Sequence, residues 1–272
     1  MLFRSTHYKR IYDMLIYSIV CICVLIIYQV DIGFIYHYVK SQSVIKLFAF
    51  YNALEMVDRL LAALSIDMYN SLLLSVKKKM LKDSILFYIL SLLLTVVHTF
   101  TLFLHIMALN VSINFNGYSL LALLVSNNIV EIRGAVWKKM MPENIFQIIC
   151  ADVVEMFELF IFVVLLSISN LGSYEWDVLS NPDIAISLVV SFACIMGGEI
   201  LVDSIKHMFI CKFNKIPLST FTKSKFVLYN DLISTSDEPF KTPSLDSTTI
   251  SARRLGVSQV PLSVLLICFV VK

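Results

Sequence analysis

Charge is the first scarcity in this sequence. Asp, Glu, Lys and Arg together make up 15% of its 272 residues, where soluble globular chains carry about 25%. With 58% hydrophobic residues and a mean hydropathy of +0.81, a water-soluble fold would have too little polar surface to cover its apolar content. Lipid must serve as part of the solvent. The net charge of +2 gives no electrostatic footprint for nucleic acid, so none is expected as a partner. The cysteines Cys21, Cys23, Cys150, Cys194, Cys211 and Cys268 form no Cys-x-x-Cys pair and lie within or beside apolar runs. Free, buried thiols are expected rather than a zinc site or a disulfide framework. A Gly-rich phosphate loop, a Gly-x-Ser-x-Gly elbow and a His-Glu-x-x-His pair are also missing. No enzyme activity, cofactor or metal is therefore expected.

What the sequence does have is long apolar runs. A bilayer core needs about 20 mostly apolar residues to cross as a helix. Ser84 to Leu109 offers 26 without Asp, Glu, Lys or Arg, sixteen of them Leu, Ile, Val or Phe, which favours insertion by about 6 kcal/mol. The uncharged run continues to Val130 past a turn signal at Asn114-Phe115-Asn116-Gly117. The second arm, Tyr118 to Val130, either crosses or turns back under protein cover. Ile145–Leu171, Ile184–Val202 and Leu255–Val271 are further spans, the last with Pro261 as a tolerated kink. Arg4, Lys9 and Arg10 precede Met14–Val30 as in a signal peptide, but no small-x-small site follows, so a retained first helix is expected.

Val44–Val76 is the conflicted segment. The apolar residues of Leu47–Ile66 contribute about −5 kcal/mol, whereas Glu55, Asp58 and Arg59 at mid-helix cost about +9 kcal/mol. It crosses only if other helices cover those charges, with Glu55 and Arg59 paired at i, i+4; otherwise it lies at the interface. Counting charges favours crossing. If the N-terminus, Lys77–Lys82, Arg133–Lys139 and Lys206–Arg254 share one side, that side holds 18 of the 22 Lys and Arg residues. The positive-inside rule makes it cytosolic. The arrangement closes with an odd number of crossings, most simply seven. The expected fold is all-α, a polytopic integral membrane helical bundle of about six to seven transmembrane helices. It forms a single membrane domain over residues 1–272 with a flexible cytosolic loop at about 212–254.

Four groups of ionisable residues fall in or against these spans: Glu55, Asp58 and Arg59; Glu131 and Arg133 after Asn127 and Asn128; Asp152, Glu155 and Glu158; and Glu199, Asp203, Lys206 and His207. The i, i+3 spacing of the third group stacks its carboxylates on one face. In the fourth, Asp203 can reach both Lys206 and His207. Intramembrane charges often mark ion or substrate pathways, and they equally lock helices together; the locking role is expected here. His98 and His105 share a face of the Ser84–Leu109 helix and are expected to be a packed, neutral pair. Lys77, Lys78, Lys79 and Lys82 are a topology signal that also attracts anionic lipid.

Several stretches resemble the Tapt family (transmembrane anterior posterior transformation) of eukaryotic membrane proteins. They are Tyr51–Leu60 with its Glu-x-x-Asp-Arg-Leu element, the Ser126-Asn127-Asn128 to Glu131-Ile132-Arg133-Gly134 block, Asn144–Ile148 leading to Asp152-Val153-Val154-Glu155, and Glu199–Asp203 through Lys206-His207 to Pro217. Arg253-Arg254-Leu255-Gly256 also fits, and the resemblance runs from about Phe48 to residue 272. Met156 departs from it, standing where the family tends to have Arg. The resemblance implies a multi-pass protein of the endoplasmic reticulum or early secretory membranes that works in protein folding or quality control, and the charge count puts its N-terminus in the cytosol. It implies a SUN-like membrane protein as partner, besides membrane lipid. A non-enzymatic scaffold is the expected function; the alternative is a transporter or channel using the intramembrane carboxylates.

Overall fold

In lipid, a backbone with no water to bond must satisfy its own N–H and C=O groups, and a helix does so within one segment. The computed structural model describes residues 2–115, 129, 132–133, 142–173, 182–217, 219–237 and 255–271. Those residues form eight helices and no strand: α1 (Leu2–Tyr28), α2 (Ile32–Lys40), α3 (Val44–Lys78), α4 (Leu81–Phe115), α5 (Pro142–Ser173), α6 (Pro182–Asn214), α7 (Ser219–Asp237) and α8 (Gln259–Val271). Four stretches among them are long and apolar enough to cross a membrane: Tyr8–Tyr28, Ile45–Lys78, Leu81–Ile113 and Leu188–Asn214. The chain is a helical membrane protein.

Local chemistry sets the helix ends. Asp31 caps α2: its Oδ1 accepts from the backbone N–H of Gly33 at 2.9 Å and of Phe34 at 3.3 Å, two donors that the first turn leaves open. α3 stops at a left-handed residue, Lys79 (φ 57°). The Lys79 N–H bonds to the Val76 carbonyl and the Met80 N–H to the Ser75 carbonyl, both at 3.2 Å, which is the Schellman pattern. α6 ends in the same way at Lys215 (φ 54°), with the Ile216 N–H on the Cys211 carbonyl at 3.0 Å and Pro217 next.

Two expectations change in detail. The polar stretch expected as a flexible loop at about 212–254 contains the last turn of α6 and all of α7. Its apolar residues are too few for the hydropathy of a span, and helix seldom reads clearly from so polar a segment. Pro261 falls in the first turn of α8, where its missing N–H would have had no helical partner, so it introduces no kink. α8 itself has 13 residues, about 20 Å of helix.

Two compact units organise the chain: Met1–Ile35, Ala53–His105 and Ser234–Lys272 form one, Tyr36–Asn52 and Ile106–Ile233 the other. In the first, Ile19, Cys23 and Ile27 of α1 meet Leu72 of α3 and Val264 and Cys268 of α8, with Phe87, Tyr88, Leu92 and Val96 of α4 packed against them. In the second, α5 packs on α6, and Phe160 and Phe192 meet edge to face at 6.0 Å.

α4 shows how the solvent has been inverted. Its buried stripe includes Ser91, Thr95, His98 and Thr99, while Ile85, Leu86, Ile89 and Leu93 are each more than half exposed. Polar groups face protein and apolar groups face outward, the order that lipid favours and water forbids. Within the stripe, hydroxyls bond back to the preceding turn, Thr95 Oγ1 to the Ser91 carbonyl at 2.6 Å and Thr99 Oγ1 to the Thr95 carbonyl at 2.8 Å.

Because a left-handed residue with a Cβ costs about 1–2 kcal/mol relative to glycine, the end of α3 can be tested with two variants that both remove the charge. Lys79→Gly is expected to unfold at a higher temperature in detergent than Lys79→Ala, by about 1 kcal/mol of stability. The opposite order, normal within a helix, would rule out the left-handed cap.

Candidate functional site

Among the described residues, ionic clusters join helices within each unit. In the first unit the tight Lys79–Met80 connection folds α4 back antiparallel along α3, so residues about equally far from the turn face each other. Tyr69 Oη lies 2.6 Å from Thr95 Oγ1. Further from the turn, His98 Nε2 lies 2.7 Å from Asp58 Oδ1, and His98 Nδ1 lies 3.4 Å from Ser65 Oγ. Asp58 and Ser65 are seven residues apart, two turns on one face of α3, and the imidazole bridges them. Arg59 on the neighbouring side donates to Glu55 at 2.7 Å, the i, i+4 pair expected from the sequence. Asp58 is 14 residues from Val44 and 20 from Lys78, so about 20–30 Å of helix separates it from either end.

Asp58, His98 and Ser65 connect in the order of a carboxylate–imidazole–hydroxyl relay, which general-base catalysis uses to activate a hydroxyl. Here Ser65 has no exposed surface, and 3.4 Å is long for an O–H···N bond. No substrate carbonyl can reach that oxygen. The arrangement joins α3 to α4 through a buried contact between Asp58 and His98.

In the second unit Asp152 of α5 faces α6. Its Oδ1 accepts from Lys206 Nζ at 2.8 Å and its Oδ2 lies 2.7 Å from His207 Nε2. Lys206 Nζ also stands 2.8 Å from Asp203 Oδ1. Lys206 is fully buried, His207 about a quarter exposed. The His207 ring meets Phe221 of α7 edge to face at 5.3 Å, so α7 packs on the imidazole that holds the Asp152 carboxylate. Lys206 lies eight residues from the end of α6, about 12 Å, closer to a helix end than Asp58 is.

The expected groups are partly brought together and partly divided. Asp152, on one continuous helix with the half-buried Glu155 and Glu158, meets Lys206 and His207. Of the two partners that spacing offers Asp203, Lys206 stands beside it, while His207 goes to Asp152. Glu199 is buried on α6. Arg133 is exposed; Asn127, Asn128 and Glu131 lie outside the described residues. His98 was assigned by sequence to a pair with His105, and the structure gives it to Asp58. Both histidines are buried. The available signal was an imidazole in a span without Asp, Glu, Lys or Arg, opposite a segment with an unmatched carboxylate. Among the described residues, no three His, Cys, Asp or Glu side chains are grouped to share a metal ion.

The sequence profile of a eukaryotic membrane protein family matches residues 6–272. The chain belongs to that family. Several curated relatives carry the name that the motifs suggested. The protein TAPT1 homolog of Dictyostelium discoideum is 36% identical over 83% of this chain and 29% of its own length. The human transmembrane anterior posterior transformation protein 1 homolog is 33% identical over 95% of this chain and 45% of its own. Endoplasmic reticulum membrane protein 65 of Schizosaccharomyces pombe is 34% identical over 95% and 42%. The chain spans less than half the length of these relatives. No solved structure matches it. The family match begins well before Phe48, where the motif resemblance began, so it takes in α1 and α2 as well as both ionic clusters.

In this family member Lys206 holds two carboxylates at once. Lys206→Met leaves Asp152 and Asp203 together without their shared cation and is expected to cost about 3–5 kcal/mol, seen as a lower unfolding temperature in detergent. Adding Asp152→Asn and Asp203→Asn should recover most of the loss. A single variant as stable as the parent would refute the shared pairing.

Proposed function

We propose that this protein is a non-enzymatic multi-pass scaffold of the endoplasmic reticulum membrane, acting in protein folding or quality control beside a membrane partner. The observation that carries the reading is the use of the intramembrane carboxylates. Asp58 is taken up by His98, and Asp152 by Lys206 and His207, each at 2.7–2.8 Å across a helix–helix contact. Groups spent on holding helices together are poorly placed to line a path for ions. The fission yeast relative's name supports the membrane assigned, and the family resemblance points to a SUN-like membrane protein as the partner.

The alternative is a transporter, and one feature favours it. Asp58 and His98 form a protonatable pair deep within α3 and α4, and chains of such groups carry protons in pumps. The two readings part on the response to neutralisation. Asp58→Asn and Asp152→Asn are each made in the full chain, then measured for thermal unfolding in detergent and for proton or cation flux in liposomes. The scaffold reading expects both variants to lose stability by about 3 kcal/mol or more, with the parent showing no flux above empty vesicles. Parent flux that disappears in a variant of unchanged stability would make the protein a transporter.

A further inference from the structure

The polar segment after α6 folds as α7, and the two sides of that helix differ. Phe221 packs on His207, and Ser224, three residues on, is buried on the same side. The opposite side carries Thr222, Phe226 and Tyr229 at i, i+4 and i+7, all exposed, with Phe226 at 62% and Tyr229 at 59%. Exposed lysines flank this stripe on the helical wheel, Lys225 beside Tyr229 and Lys223 beyond Phe226.

The position of α7 limits what can cover these rings. Only residues 215–218 separate it from α6, and Ile216 of that connection is itself buried. Phe221 contacts α6 at His207, seven residues before its end, so the start of α7 lies about 10 Å back along the span. Phe209 and Phe213 of that last part of α6 stack at 6.0 Å and are also exposed, as aromatic rings at a membrane boundary commonly are. A helix held at this level presents its free side to the headgroup region rather than to open water. Aromatic residues between lysines match a surface in which acyl chains lie beneath anionic phosphates, with lysine stems extending outward to the phosphates.

We propose that α7 is an interfacial helix that seats Phe226 and Tyr229 in the leaflet and reads anionic phospholipid through Lys223 and Lys225. The occupant is the lipid surface itself. This inference stands independently of the scaffold reading, because a transporter could carry the same helix.

The test uses the full chain in vesicles of phosphatidylcholine alone or with 30% phosphatidylserine, a conventional anionic fraction of roughly that size being enough to set a surface potential. Phe226→Trp and, separately, Tyr229→Trp add a fluorophore whose signal is taken as the difference from the parent protein. Both variants must first match the parent in detergent unfolding; these exposed positions give two chances of meeting that condition. The proposal expects the added tryptophan to be quenched by brominated lipid and shielded from aqueous iodide, with stronger lipid quenching in the anionic vesicles. Lys223→Gln/Lys225→Gln should remove the anionic preference, shifting the seated-to-detached ratio by roughly fivefold per lysine. Quenching by iodide but not by lipid would overturn it, since α7 would then face water. Protection from both quenchers would also overturn it and point to a protein covering the stripe. Equal lipid quenching in both vesicle types, unaffected by the lysine variants, would overturn the anionic specificity.

Discussion

A carboxylate in the middle of a membrane helix is tolerated only if something else in the protein answers its charge. Asp58 is the test of that constraint, because its charge, with those of Glu55 and Arg59, sits at mid-helix in α3 and costs more than the surrounding apolar residues return. His98 answers it from α4 at 2.7 Å, while Glu55 is answered by Arg59 within α3. The insertion of one span is therefore tied to the presence of the next. In the second unit Asp152 on α5 has no partner within its own helix for the same task, and Lys206 and His207 supply it from α6. Association of helices in lipid lacks the hydrophobic drive available in water, so packing and polar bonds must supply the specificity. These pairs supply it at chosen heights along the helices.

The tight turn after α3 makes the first pairing possible. Lys79 in a left-handed conformation closes the helix within two residues and sets the antiparallel register that brings Tyr69 to Thr95 and Asp58 to His98. Ser18 of α1 adds a contact to Tyr88 at 2.8 Å, and the cluster of Ile19, Cys23, Leu72, Val264 and Cys268 fills the space between α1, α3 and α8. On α4 the hydroxyl-bearing Ser91, Thr95 and Thr99 face protein, while Ile85, Leu86, Ile89 and Leu93 are turned outward.

Interactions within one helix were readable from sequence, and those between helices were not. The Glu55–Arg59 and Asp203–Lys206 pairs follow from spacing alone, since three and four residues bring side chains over one another. The apolar runs of α1, α4 and α6 were equally plain, as was the conflict in α3. The partner of Asp58 depended on register, which depends on where α3 stops; a lysine in the position usually given to glycine concealed that stop. The same limit hid the partners of Asp152, since its i, i+3 spacing to Glu155 said nothing of the cations on α6. α7 escaped notice because its apolar residues are few and its composition resembles a loop. The family motifs did locate Glu55, Asp58 and Arg59 of the first cluster and Asp152, Asp203, Lys206 and His207 of the second, although they passed over Ser65 and His98 and could not say which residues would meet.

The most direct test of the central claim is a double-mutant cycle on Asp58 and His98, read as unfolding free energy in detergent. If the pair holds α3 against α4, Asp58→Asn and His98→Gln are each strongly destabilising, and the double variant loses much less than the two effects combined, a coupling of about 1–3 kcal/mol. Additive losses, or single variants as stable as the parent, would contradict the account and leave the crossing of α3 without its explanation.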